Sequence, residues 1–167
     1  MKFKYLEIGV AQGDNAVKTL NENPDLYYTG VDQWLYDTSM EHEVKKIQNW
    51  NSQKIWDEIY EKVLTKLNPY GDRAKVLRGS SRDILPKMKD TFDTILVDGD
   101  HSEEGAYQDM LLSIPLLKKD GTMIIDDLHY ESVRSAITRF IEYHPEYKII
   151  NRKNNQAYIQ LLKTENE

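Results

Sequence analysis

Residues 3–13 read FKYLEIGVAQG, in which an apolar run leads directly into a loop that contains two glycines. An apolar run of this length is typical of a buried strand, and glycines let the following backbone turn tightly and approach a ligand closely. Asp14 can then cap a helix that extends to about residue 23. The stretch therefore predicts the first β-α unit of a layered α/β fold.

Similar units follow along the rest of the chain, in which short apolar runs alternate with helical patterns. The predicted strands are residues 3–8, 27–32, 74–77, 94–97 and 122–125, followed by two more at 147–151 and 156–162. The predicted helices are residues 14–23, 53–67, 81–88, 103–117 and 131–143. A break is expected at Pro86 and a turn at 119–121. The pattern predicts an α/β domain with a mostly parallel, seven-stranded sheet that ends in an antiparallel hairpin.

Composition limits the possible functions. The 167 residues are enough for one domain, 1–167, and no apolar run is long enough to cross a bilayer. Residues 1–7 lack the apolar core of a signal peptide, so a cytoplasmic location is predicted. The net charge is −6 and Lys and Arg are scattered, which favours a small-molecule partner over a nucleic acid. Without cysteine, any metal ligands must be oxygen or histidine.

Polar or glycine residues follow each of the five parallel strands. They are Glu7 to Gly9, Asp32, residues 79–81, residues 98–101, and Asp126 with Asp127. Ligands of open parallel sheets bind beyond the carboxyl ends of the strands. The coincidence at all five strand ends therefore predicts a functional site along that edge.

The first loop suggests which ligand this edge binds. From Glu7 to Gly13 the spacing is E-x-G-x-x-x-G, and not the G-x-G-x-x-G that cradles a pyrophosphate. S-adenosylmethionine has no phosphate, Glu7 could balance its ammonium charge, and Asp32 could accept its ribose hydroxyls. The alternative is an ordinary βα turn with one helix-packing glycine. Together with Asp32, the loop favours nucleoside binding.

Several carboxylates share the other half of this edge. Asp98 ends the fourth predicted strand and Asp126 the fifth. If these strands are neighbours, their ends lie about 5 Å apart, with Asp100 and Asp127 in the same crevice. Carboxylates this close repel one another, and a divalent cation such as Mg²⁺, which prefers oxygen ligands, relieves the repulsion. Such a cation can also acidify and orient an alcohol that reacts there. The alternative is that each Asp only caps a helix or a loop, and His129 is expected to be a surface loop residue.

Taken together, these motifs resemble the class I S-adenosylmethionine-dependent methyltransferases, whose fold is Rossmann-like. The similarity covers residues 5–162 and is strongest with the DGDH branch that includes sugar O-methyltransferases; catechol and caffeoyl-CoA O-methyltransferases are more distant. It rests on LEIG at 6–9 with Gly13, GVD at 30–32, RGSSRD at 78–83, VDGDH at 97–101, and GTMIIDD at 121–127.

The resemblance implies a role for each matching position. Glu7, Gly9 and Gly13 would bind the methionine part of the cofactor, with Asp98 beside it; Asp32 would bind the ribose, and Ser81 and Arg82 the adenine. Asp98, Asp126 and Asp127 would hold the divalent metal, with Mg²⁺ expected. Asp100 matches a proposed general base of the sugar-modifying members, and His101 lies where the catechol-type enzymes have a catalytic lysine. Either Asp100 or His101 is therefore the predicted base.

The connection at residues 33–72 is long for a link between strands and is predicted to be a variable, partly helical insertion. Trp34 could cover the cofactor, whereas Trp56 and the apolar residues that follow it at helical spacing fit a buried face. Tyr36 and Trp50 are less easily explained as core. Helices that precede the first strand in many family members are not found here, so either this insertion or a second copy in a homo-oligomer would cover the acceptor, or the acceptor site is open.

The sequence thus predicts metal-assisted O-methylation of a hydroxyl on a small molecule, with a sugar-containing acceptor as one option. The alternatives are an NAD-dependent Rossmann oxidoreductase and a non-catalytic cofactor-binding module. The glycine spacing and the terminal hairpin speak against the oxidoreductase.

Overall fold

A computed structural model describes residues 2–36 and 52–162, and the structural statements below refer to these residues. Its strands are β1 (Phe3–Ile8), β2 (Leu26–Asp32), β3 (Ala74–Arg78), β4 (Phe92–Val97), β5 (Leu117–Ile125), β6 (Tyr147–Lys153) and β7 (Gln156–Leu161). They form one sheet in the order β3-β2-β1-β4-β5-β7-β6. The first five are parallel, and β7 runs antiparallel to β5 and β6. The predicted mostly parallel sheet with a terminal hairpin is confirmed.

The helices connect these strands. They are α1 (Asp14–Glu22), α2 (Gln53–Leu67), α3 (Ser81–Ile84), α4 (Glu103–Ser113) and α5 (Glu131–Tyr143). Prolines shorten two of the predicted helices, because a proline has no backbone N–H to donate. The turn Leu85–Lys87 follows α3 at Pro86, and the turn Ile114–Leu116 ends α4 before the predicted residue 117. None of the described helices is long and apolar enough to span a bilayer.

Two local predictions are wrong. Asp14 does not cap α1; the cap position is Gly13, whose φ is 74°, and Asp14 instead pairs with Lys66 at 2.5 Å. Residues 119–121 do not form a turn before β5 but lie within it, where the register shifts because Leu117 pairs with Phe92 and Thr122 pairs with Thr94. The extra residues of β5 bulge out between these two pairs.

The sheet buries apolar residues on both faces. Successive strand residues point to opposite faces, and in β4 Ile95 and Leu96 accordingly belong to different clusters. One cluster includes Phe140 of α5, and the other includes Leu20 of α1 and Val63 of α2. The predicted packing of α2 through its apolar face is therefore confirmed.

The terminal hairpin turns at two asparagines. Asn154 and Asn155 have φ values of 52° and 64°, the left-handed conformation that a two-residue hairpin turn requires and that Asn tolerates. The turn inserts β7 between β5 and β6 and leaves β6 at the sheet edge.

Backbone hydrogen bonds continue just past the strand ends and hold the following loops together. Gly9 N–H donates to Val31 O at 2.9 Å, Asp98 N–H to Ile8 O at 2.8 Å, and Gly79 N–H to Asp32 O at 2.8 Å. Gly9 has a φ of +90°, and a Cβ there would lie 2.0 Å from the Asp98 carbonyl oxygen. Only glycine therefore lets the first loop touch the loop after β4.

We expect Gly9→Ala to lower the free energy of unfolding by about 3 kcal/mol or more, because the added methyl overlaps backbone atoms and the left-handed conformation is strained. Gly71→Ala is the control, since Gly71 has a φ of +53° and no atom within 4 Å of an added Cβ. Its cost should be about 1–2 kcal/mol, from backbone strain alone. Urea denaturation measures both, and equal costs would contradict the close packing at Gly9.

Candidate functional site

Asp32 links the loops that follow β1 and β2. Its Oδ2 accepts hydrogen bonds from the backbone N–H groups of Val10 at 2.8 Å and Ala11 at 2.9 Å. Its Oδ1 accepts one from the N–H of Trp34 at 2.8 Å. A carboxylate has about four acceptor positions, so Oδ1 keeps one for a further donor. That Asp32 accepts the ribose hydroxyls stays a prediction.

Trp34 lies beneath this loop, in the core. Its side chain is fully buried, its indole N–H donates to Ala11 O at 2.9 Å, and its ring lies 4.8 Å from that of Tyr60. The prediction that Trp34 covers the cofactor is therefore wrong, because a side chain without exposed surface supports the loop from below. Tyr36 is half-buried and its N–H donates to Gln53. Trp50 lies outside the described residues.

Glu7 is a buried carboxylate under the first loop, with both oxygens hydrogen-bonded. Asn15 donates to one oxygen at 2.8 Å, and the Tyr28 hydroxyl donates to the other. Burial raises the pKa of Glu7 to about 7, although these two donors lower it. Sequence reasoning missed Asn15 and Tyr28, since no spacing pairs residues on different elements. The contact of Glu7 with the cofactor's ammonium group stays a prediction.

The loop after β3 leads into a short helix with two serines at its start. Ser80 caps α3 by accepting from the N–H of Arg82, and Arg82 itself is exposed. The Ser81 hydroxyl donates to Oδ1 of Asp109 at 2.5 Å. Asp109 is 4% exposed, and burial raises its pKa to about 6. Asp109 was not predicted, because a single acid within a helix pattern gives no signal of its own.

Asp98, His101 and Asp127 come together at the ends of β4 and β5. One ligand atom from each lies within 4.8 Å of the others. His101 Nε2 is 3.0 Å from Asp127 Oδ2 and 3.7 Å from Asp98 Oδ1, yet it is buried without a well-aligned hydrogen bond. Burial raises the pKa of Asp98, and the neighbouring carboxylate of Asp98 raises the pKa of His101. The three side chains surround a point where positive charge is favoured.

Asp126 is not one of these three side chains and has hydrogen-bond partners of its own. Its Oδ1 accepts from the N–H of Asp127 at 2.7 Å and its Oδ2 from Gln156 at 2.9 Å. Asp127 has a φ of 61°, so the backbone adopts the left-handed conformation directly after Asp126. The structure thus groups two of the three predicted metal ligands, Asp98 and Asp127, and adds His101 in place of Asp126.

The remaining predicted residues lie around this cluster. Asp100 accepts from the N–H of Ser102 at 2.9 Å and lies against Gly105 at the start of α4. The His101 ring stacks on Tyr130 at 4.9 Å. His129 is 55% exposed and 3.4 Å from Asp127, which fits the surface loop position expected for it.

Comparison with known proteins identifies the family that this chain resembles. Residues 6–128 match the family model described as "Methyltransferase domain". The O-methyltransferase hkm8 of Aspergillus hancockii is 37% identical over 59 residues, which are 35% of this chain and 23% of that protein. The match therefore spans about a quarter of this relative's length.

Solved structures share the fold over nearly the whole chain. The O-methyltransferase NovP has a TM-score of 0.69 at 18% identity, over 96% of this chain and 72% of that one. The O-methyltransferase from Bacillus cereus, solved in complex with SAH, has a TM-score of 0.67 at 14% identity, over 96% of this chain and 74% of its own. These likenesses confirm the Rossmann-like architecture predicted from the sequence.

We expect Glu7→Gln to remove part of the pH dependence of stability. The pKa of Glu7 is raised from 4.5 to about 7. The contribution of the protonated Glu7 to the free energy of unfolding is therefore complete below pH 4.5 and is lost as the pH rises through 7. The loss is on the order of 3 kcal/mol. Urea denaturation from pH 5 to pH 8 should show the wild type losing stability relative to Glu7→Gln. The control Glu22→Gln, at the exposed end of α1, should follow the wild type; parallel curves for all three would contradict the account.

Proposed function

The chain belongs to the methyltransferase domain family, and from this premise we propose that it transfers a methyl group from S-adenosylmethionine to a hydroxyl of a small molecule. One observation carries the proposal: the Asp32-bound loop and the Asp98 cluster lie side by side, joined where Gly9 touches the Asp98 backbone. A nucleoside site beside an acidic cluster at one sheet edge suits methyl transfer to a hydroxyl, because donor and acceptor must meet in line.

The hydrogen bonding of the first loop favours a cofactor without phosphate. A dinucleotide would need free backbone N–H groups there for its pyrophosphate. The N–H groups of Val10 and Ala11 already donate to Asp32. This observation favours S-adenosylmethionine over the NAD-dependent alternative. In the proposed complex, Oδ1 of Asp32 accepts a ribose hydroxyl, Gly9 and Gly13 face the methionine part with Glu7 beneath them, and Ser81 and Arg82 border the adenine.

When bound, S-adenosylmethionine supplies the electrophilic methyl group. The acceptor hydroxyl has to lose its proton during transfer, and Asp100 and His101 are the two candidate bases for this step. His101 is flanked by Asp98 and Asp127, whereas Asp100 is more exposed at the start of α4. We therefore favour Asp100 as the base. Turnover of an acceptor would distinguish this enzyme from a non-catalytic cofactor-binding module.

We further propose that Asp98, His101 and Asp127 hold a divalent cation. Two carboxylates and one imidazole are suitable donors for such an ion, and a buried His101 Nε2 without an aligned partner fits a ligand position. Mg²⁺ favours an all-oxygen set, which Asp126 would complete if it left Gln156. The cation would supply positive charge that orients and acidifies the acceptor hydroxyl.

The acceptor and the cellular setting are proposals as well. The net charge of −6 favours a small molecule over a nucleic acid, and the resemblance to sugar-modifying enzymes favours a sugar-containing one. We propose a cytoplasmic enzyme whose acceptor is covered by the 33–72 segment or by a second copy of the chain. Residues 37–51 of that segment lie outside the described residues.

Calorimetry with S-adenosylhomocysteine and NAD tests the cofactor. We expect the wild type to bind S-adenosylhomocysteine and not NAD. Asp32→Ala should weaken S-adenosylhomocysteine binding by about 10-fold or more, because it removes both the ribose acceptor and the support of the loop. Asp25→Ala, an exposed acid at the opposite end of β2, should bind like the wild type. NAD binding alone would overturn the proposal, and unchanged affinity in Asp32→Ala would overturn the assignment of Asp32.

Binding of Mn²⁺, followed by electron paramagnetic resonance, tests the metal site without requiring an acceptor. We expect Asp98→Asn and Asp127→Asn each to weaken Mn²⁺ binding by about 10-fold or more, since each removes a charged ligand. Asp25→Asn is the matched control and should leave it unchanged. Equal Mn²⁺ binding by all variants would remove the trio from the proposed site. A loss in Asp126→Asn equal to that in Asp127→Asn would support the all-oxygen set instead of His101.

A further inference from the structure

Ser81 and Asp109 form a hydrogen-bonded pair at the wall of the proposed nucleoside cleft. The Ser81 Oγ–Asp109 Oδ1 distance is 2.5 Å, and Oδ2 of Asp109 lies 3.3 Å from where a Cβ on Gly99 would be. The Cα of Gly99 in turn lies 2.7 Å from where a Cβ on Gly9 would be. The pair therefore lies between the loops that follow β3 and β4, on the edge that also carries Asp32.

The sheet order indicates which part of a nucleoside reaches this pair. The strands run β3-β2-β1-β4, with Asp32 at the end of β2 and Ser81 two residues beyond Gly79, whose N–H donates to Asp32 O. With the ribose at Asp32 and the amino acid part at Gly9 and Asp98, the base extends toward β3. The base would then face the half-exposed Ser81 hydroxyl.

Asp109 determines the direction of the Ser81 hydrogen bond. An ionised carboxylate only accepts hydrogen bonds, so the single hydroxyl proton of Ser81 points at Asp109. The Ser81 oxygen is left with lone pairs, and toward a ligand it is an acceptor. An amino group on a purine can donate to it, whereas a carbonyl at the same position would face it oxygen to oxygen.

We propose that Asp109 is a positioning residue that fixes Ser81 as a hydrogen-bond acceptor, so that the site selects a 6-amino purine over a 6-oxo purine. This inference rests on the proposed function, since it assigns the base of the nucleoside bound there.

The surroundings of Asp109 fit this role. Burial raises the pKa of Asp109 to about 6, so the carboxylate is ionised at neutral pH. The charged groups that face it are Asp100, from the loop before α4, and Arg82, from α3; Asp100 raises and Arg82 lowers its pKa. The carboxylate is 4% exposed, so it does not contact solvent-borne ligands itself and acts through Ser81.

Calorimetry with S-adenosylhomocysteine and S-inosylhomocysteine, at pH 7.5, tests the proposal through the ratio of their dissociation constants. We expect the wild type to prefer S-adenosylhomocysteine by about 10-fold or more, because a mispaired polar group in the site is costly. Ser81→Ala removes the acceptor, and Asp109→Leu, which has no hydrogen-bonding atom in its side chain, lets the Ser81 proton turn toward the ligand. Each should reduce the ratio by about 5- to 10-fold. Ser81→Thr keeps the hydroxyl and should preserve the ratio.

Ser113→Ala is the matched control. The Ser113 hydroxyl donates to the backbone oxygen of Asp109 at 2.7 Å. If Asp109 acted only through the stability of α4, Ser113→Ala would also change the ratio. The proposal predicts an unchanged ratio in this variant. A ratio that stays at the wild-type value in Ser81→Ala or in Asp109→Leu would overturn the inference, as would equal binding of both ligands by the wild type. Binding of neither ligand would overturn the proposed function, and the inference with it.

Discussion

The hydrogen bonds from Val10 and Ala11 to the Asp32 carboxylate are the interaction on which the rest of the site depends. They fix the loop after β1 to the end of β2, while Gly9 presses the other side of the same loop against the backbone of Asp98. The same two N–H groups donate to Asp32 and not to a phosphate, which is in line with the proposed phosphate-free cofactor. A single carboxylate thus both shapes the cleft and limits what can bind in it.

Several acidic side chains that are wholly or partly buried lie along this edge of the sheet. Burial raises the pKa of Glu7, Asp98 and Asp109, and each has a polar side chain beside it: Tyr28 and Asn15 for Glu7, His101 for Asp98, and Ser81 for Asp109. Perturbed carboxylates of this kind lower stability and are concentrated at functional sites. The fold tolerates them because the two apolar clusters on either face of the sheet supply the stability.

The fold could be predicted almost completely from the sequence, whereas the site could be predicted only in part. Strand and helix positions follow from local patterns, and the bounds of β1, α2 and α5 agree with prediction. Bounds failed where a proline shortened α4 and where a bulge absorbed residues 118–121 into β5. Asp32, Asp98 and Asp127 were found because strand ends converge. The burial of Trp34, the turning of Asp126 toward Gln156 and the pairing of Ser81 with Asp109 depend on contacts between distant elements, which no local pattern encodes.

A crystal structure of the protein with S-adenosylhomocysteine and Mg²⁺ tests most directly whether one sheet edge holds both the nucleoside and the acceptor pocket. The account predicts a ribose hydroxyl within hydrogen-bond distance of Asp32, the purine amino group at Ser81, and the sulfur directed toward the side of the cleft where Asp98, His101 and Asp127 meet. A ligand whose ribose lies away from Asp32, or whose sulfur points away from Asp98, would contradict it.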